Sequence, residues 1–178
     1  MYDQTTIETS GLTFRVDFKY DHDAGRPWDN SEGHGPVREA SKGYTGYIDK
    51  RPGERVLYAG NRRELSWVYD WKAACKLARA DGWNAAPYDA PDRIQRAVQA
   101  DFDYLRAWCN DQWCYVGVIV TLINDDGTEG VSDSLWCVET YKDYHHECAR
   151  DIAGELAQEV LAERAEALAW AERDVITA

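Results

Sequence analysis

Long apolar runs are missing from this 178-residue chain. None approaches the ~20 residues needed to span a bilayer, so nothing in it points to a membrane. The amino terminus, Met-Tyr-Asp-Gln-Thr-Thr, lacks the basic and apolar regions of a secretory leader, and the expectation is a cytoplasmic protein. No CxxC pair occurs, and the five cysteines (Cys75, Cys109, Cys114, Cys137 and Cys148) are odd in number. They read as buried reduced thiols, not as a disulfide framework or a zinc site. No glycine-rich loop leads into a helix, so no nucleotide phosphate and no cofactor is expected. No basic patch interleaved with aromatics is present, which argues against direct nucleic-acid binding. Repeats, low-complexity tracts and linkers are absent too, so residues 1–178 read as a single domain.

What the chain does have is negative charge. The formal net charge is -12 and the isoelectric point about 4.7. Residues 1–60 hold 10 acids and 8 bases, residues 61–140 hold 13 and 8, and residues 141–178 hold 9 and 4. A surface of this sign repels nucleic acid and acidic membranes and attracts basic protein surfaces; it also keeps a protein dissolved. Eight Trp and eleven Tyr suit either an interface or an aromatic core.

Alternation of Leu12, Phe14, Val16, Phe18 and Tyr20 with Thr13, Arg15, Asp17 and Lys19 predicts a half-buried strand. A long polar loop, 21–36, follows. Short strands are expected near Val37–Ala40 and Glu54–Ala59. Ser66 reads as the cap of a helix from Trp67 to Asp81, ended by Gly82. Pro91 suits the first turn of a second helix reaching about Asn110, with Ile94, Val98, Phe102, Leu105, Trp108 and Cys109 as its apolar stripe. Trp113 to Ile123 is apolar on both faces and reads as a central strand. The turn Asn124-Asp125-Asp126-Gly127 returns the chain as a strand from Val131 to Glu139, with Trp136 and Val138 on one face. Thr140 reads as the cap of a last helix, 141–174, with Asp143 at its third position and Tyr144, Cys148, Ile152, Leu156 and Val160 buried. The expected fold is α+β: an antiparallel sheet of about five strands with three helices packed on one face.

The last helix carries the leading candidate site. Asp143, Glu147, Asp151, Glu155, Glu159 and Glu163 recur at every fourth position. Residues at that spacing share a helix face, and like charges there destabilise a helix by roughly 0.2–0.5 kcal/mol per pair. The row is thus mildly unfavourable for folding. One explanation is a basic partner that meets a line of negative charge; the other is a solvated helix face. Steps of four residues are about 6 Å apart along the axis, and the row drifts about 40° per step. A DNA strand carries a phosphate every ~3.4 Å of duplex axis, a spacing of the same order. Asp101, Asp103, Asp125, Asp126, Glu129 and Asp133 are candidates for a second row.

Two further groups have weaker signals. In the 21–36 loop, His22, Asp23 and His34 could ligate a metal or move protons, but no zinc or hydrolase spacing is present; Gly33 and Gly35 around His34 fit a tight turn. In His145-His146-Glu147-Cys148, a cysteine follows histidines, yet Cys148 lies on the apolar stripe and reads as structural. No catalytic residue is assigned.

Several phrases together resemble uncharacterised short acidic proteins of tailed phages and prophages: Gly33-His34-Gly35-Pro36-Val37, Arg51-Pro52-Gly53-Glu54-Arg55-Val56-Leu57, Ala100-Asp101-Phe102-Asp103-Tyr104-Leu105-Arg106, Tyr115-Val116-Gly117-Val118 and Ser134-Leu135-Trp136-Cys137-Val138-Glu139. The resemblance spans about Phe14 to Leu156 and carries over no active-site residue. It implies a phage accessory protein acting in the cytoplasm of a bacterial host cell, where DNA-mimicking inhibitors of host defence are common. The expected function is therefore a DNA mimic of the antirestriction or anti-CRISPR kind, whose acidic face occupies a basic, nucleic-acid-binding surface of a host protein. The alternatives are a small metal-dependent or hydrolytic enzyme centred on the 21–36 loop, and a phage structural or assembly protein that forms a homo-oligomer.

Overall fold

The computed structural model describes residues 3–30, 33–43, 46–60 and 65–176, the last four of these by their backbone alone. Ser31 and Glu32 of the 21–36 loop lie outside the described residues. The chain divides into two compact units. One is formed by residues 1–23 with 114–178, and the other by the segment between them, 24–113.

The first unit is a four-stranded antiparallel sheet covered on one face by one helix. Its strands are β1 (Asp3–Thr9), β2 (Leu12–Tyr20), β6 (Tyr115–Ile123) and β7 (Glu129–Glu139), in the order β1-β2-β6-β7. The alternation in β2 does what period two requires: Phe14, Val16 and Phe18 pair with Leu122, Val120 and Val118 of β6, and all six side chains point to one buried face. Helix α4 (Tyr144–Ile176) lies on that face with Cys148, Ala149, Ile152, Ala153, Leu156, Ala157 and Val160. Burying each large apolar side chain is worth about 1.5–3 kcal/mol, and the three alanines let the helix approach the sheet closely. β6 is flanked on both sides, as its apolar content predicts.

The second unit has its own sheet, β3 (Val37–Ala40), β5 (Ser66–Asp70) and β4 (Glu54–Tyr58), in the order β3-β5-β4 and antiparallel throughout. The short α1 (Pro27–Asn30) precedes it. Helices α2 (Trp71–Ala80) and α3 (Arg93–Cys109) join Leu57 and Tyr69 of the sheet through Ala74, Ala78, Val98, Phe102 and Leu105. Aromatic rings surround this core: Trp28 lies 5.2 Å from Trp67, and Arg55 sits 3.2 Å above the ring of Trp71.

Several expectations are corrected. There is not one sheet of about five strands; the described residues form seven strands in two sheets. The segment Ser66–Asp70 is a strand, and α2 begins at Trp71. The spacing of Trp67 and Trp71 imitates a helix, but Ser66 to Asp70 pairs on both sides with β3 and β4. The cap is Asp70, whose carboxylate accepts the Ala73 N–H at 2.8 Å. Thr140 does not cap α4 with its side chain; its hydroxyl accepts the Cys114 N–H instead. A 3-10 turn, Tyr141–Asp143, precedes the helix. Tyr144 is 51 % exposed, and His145 is buried in its place. Trp136 and Val138 part company at a bulge, where Cys137 has φ 60°. Val138 enters the core, while Trp136 covers Gly117 on the other face, where a Cβ would collide with the indole. Of the five thiols expected to be buried, only Cys148 is; Cys75, Cys109 and Cys114 are half-buried, Cys137 is exposed, and none is in a disulfide. Burial pushes the Cys109 thiol up to about 12, out of reactive range.

Candidate functional site

Glu147, Asp151, Glu155, Glu159 and Glu163 all lie on α4, and every one is exposed. Asp143 is exposed too but stands before the helix, in the 3-10 turn, with φ 61°. The helical part of the row runs about 24 Å along the axis. Among the described residues, none of these carboxylates is in an ion pair. The drift of the row has a structural consequence. Glu163 follows Leu156 by seven residues and so falls on the packed stripe of the helix. It stays in solvent because nothing from Leu161 to Glu172 is buried: the packed part of α4 ends at Val160.

The charge is segregated between the two units. The first holds 19 Asp and Glu against 6 Lys and Arg, and the second holds 13 against 14, so their net charges are -13 and +1. The acid excess of the whole chain therefore belongs to the unit that carries α4. Only part of the proposed second row survives. Asp125, Asp126 and Asp133 are exposed in the first unit, whereas Glu129 is tied to Arg15 at 2.7 Å. Asp101 and Asp103 belong to the second unit, where Asp103 accepts a hydrogen bond from Gln99.

The histidines of the 21–36 loop are divided between the units. In the first, His22 lies beside Tyr20, and both line a hollow with Asp21, Asp23 and Trp136. Asp21 is structural there: its carboxylate accepts the N–H groups of Asp23 and Cys137. In the second, His34 Nδ1 meets Asp101 Oδ1 at 2.6 Å. The other carboxylate oxygen accepts the Gly35 N–H at 2.8 Å and the Tyr69 hydroxyl at 2.7 Å. Burial and the neighbouring Asp101 raise the Tyr69 hydroxyl well above its usual pKa, so it remains a donor. The His34 ring stacks on Tyr104 at 5.4 Å. A carboxylate that orients an imidazole is one half of a proton-transfer site. The nucleophilic half is absent: among the described residues no hydroxyl or thiol hydrogen-bonds His34. This cluster pins the loop to α3, and Gly35 is required because a Cβ would run into the Tyr69 ring.

At the start of α4, His145 is 4 % exposed and packs edge-on against Phe18. Burial holds its pKa below the usual imidazole value, with His146 acting in the same direction. Cys148 belongs to the core, as expected. Among the described residues no helix is long and apolar enough to cross a membrane. No protein-family model, no curated protein and no solved structure matches this chain.

Proposed function

We propose that the chain is a binding protein whose acidic unit occupies a basic, nucleic-acid-binding surface of another protein, with α4 as the leading element. The observation that carries this reading is the charge segregation. An excess needed only for solubility has no reason to collect on one unit while the other stays balanced. Glu147, Asp151, Glu155, Glu159 and Glu163 present carboxylates that are in no ion pair among the described residues, on a helix anchored by a packed core as far as Val160. Arrays held on a regular helix lose little freedom on binding, and complementary potential speeds association. The proposed target class is a host defence nuclease, of the restriction or RNA-guided kind, blocked in the manner of a DNA mimic.

The test is inhibition of DNA binding by a panel of purified restriction and RNA-guided nucleases, at low and at high salt. Inhibition should be strong at low salt and weaken steeply as ionic strength shortens the screening length. Asp151→Lys combined with Glu155→Lys should abolish it while the circular dichroism spectrum is unchanged. Inhibition that survives this double substitution at low salt would refute the proposal, as would its absence across the panel.

A further inference from the structure

We infer that Asp143, His145 and His146 form a binding site for a divalent first-row transition cation, with zinc as the reference ion. The three side chains offer one carboxylate oxygen and two imidazole nitrogens, and these donor atoms all lie within 4.8 Å of one another. Tetrahedral coordination with bonds of about 2.0–2.1 Å separates donors by about 3.3 Å, so a modest rotation of side chains closes the set. Among the described residues, no other three His, Cys, Asp or Glu side chains bring donors together in this way.

The fold supplies the positioning. Lys142 and Asp143 both adopt left-handed backbone conformations, with φ 51° and 61°, which turns the Asp143 carboxylate back toward the first turn of α4. Such conformations are costly for residues with a Cβ. His145 is held against Phe18 at 4.9 Å, and the His146 ring lies 5.0 Å from the same phenyl and 4.1 Å from His145. Phe18 thus fixes both imidazoles from the sheet. Two nitrogen donors select zinc, nickel, cobalt or copper over magnesium and calcium, which take oxygen. Three protein ligands leave a position for water or for a group from a partner. One force opposes the site: the amino-terminal end of a helix carries partial positive charge. The Asp143 carboxylate counters it, within a unit of net charge -13. The site takes Asp143, the first member of the carboxylate row, and does not rest on the role given to Glu147, Asp151, Glu155, Glu159 and Glu163.

The full chain is stripped with a chelator, dialysed and titrated with Zn²⁺ by calorimetry, with Co²⁺ as an optical probe. One ion per chain is expected, with the visible absorption of a low-coordinate Co²⁺ site. His146→Ala and Asp143→Asn are the informative variants because neither side chain is fully buried. Losing even an outer hydrogen-bond partner of a ligand costs about 10–100-fold in affinity, so each variant should weaken binding by at least about tenfold. Glu163→Gln should leave it unchanged. The site is refuted if no saturable binding occurs, or if both variants, shown by circular dichroism to be folded, bind as the parent does.

Discussion

The two units of this molecule solve folding with different materials. The first builds its core from Val, Leu, Ile, Ala and Phe between a four-stranded sheet and a single helix. The second surrounds a smaller aliphatic centre with rings, and six of the eight Trp lie within it. Their surfaces differ as well. Among the described residues, five of the thirteen acids in the second unit are in ion pairs: Glu54 is gripped by Arg38 at 2.7 and 2.6 Å, Asp92 pairs with Arg96, Asp29 and Glu39 with Arg26, and Asp101 with His34. In the first, Arg15 binds two carboxylates, Asp17 and Glu129, and among the described residues the carboxylates of the α4 row are in no ion pair. Ion pairs in the second unit join segments of its fold, whereas among the described residues the α4 carboxylates make none. That difference is the argument for looking for function on α4.

The comparison can be broken most forcefully in the core of the first unit. Phe14→Ala empties a fully buried site between β2 and α4. It should cost about 3–5 kcal/mol in urea unfolding followed by circular dichroism. A loss under about 1 kcal/mol would show that α4 is not seated on the sheet as described.

A smaller effect is expected at Glu54, and it sharpens the claim that charge in the second unit is structural. The Arg38 guanidinium holds the Glu54 carboxyl below its ordinary 4.5, against the opposing effect of burial. A carboxyl whose folded pKa is depressed stabilises the fold above its unfolded pKa. That stabilisation disappears as pH falls through the folded value. Glu54→Gln should therefore cost about 1–3 kcal/mol at pH 7. The gap between variant and parent should narrow as pH falls below 4.5 and close once it is below the depressed folded value, and a gap independent of pH would assign the cost to packing instead.

The smallest effect has the opposite sign. Glu155→Lys replaces two repulsive contacts, with Asp151 and Glu159, by two attractive ones at helical spacing. The melting temperature should rise slightly while inhibition of the proposed nuclease target falls. A residue whose loss helps the fold and harms binding is one retained for binding. If Glu155→Lys lowers the melting temperature, the row has a structural role that the exposed geometry of α4 does not reveal.

Much of this was legible in the chain, where the signal is local. Period two in Leu12–Tyr20, the stripe of α3, the Asn124–Gly127 turn and the exposed carboxylates of α4 all follow from spacing along one element. β1 was not legible, because Asp-Gln-Thr-Thr-Ile-Glu-Thr contains one apolar residue; its state comes from pairing with β2 across the Ser10-Gly11 turn. β5 was misread for the same reason in reverse: its tryptophans have helical spacing, and cross-strand pairing outweighs it. His34 was visible as a candidate, but its partner Asp101 lies 67 residues further along, and Tyr69, which donates to the same carboxylate, lies 35. The donor set Asp143, His145 and His146 is contiguous, yet adjacent helical residues point apart. Only the left-handed turn at Lys142 and Asp143 and the Phe18 ring bring their donors together.

The sequence by itself determined the acid excess, its four-residue rhythm and the strands and helices whose periodicity is their own, because each of these is a property of neighbours in the chain. Tertiary structure alone decided that the described strands form two sheets, that the excess belongs to one of two units, and that α4 leaves its sheet at Val160 so that Glu163 stays in water. These depend on which distant segments pair, and pairing is set by burial and hydrogen bonding summed over whole strands, which no short window of residues contains.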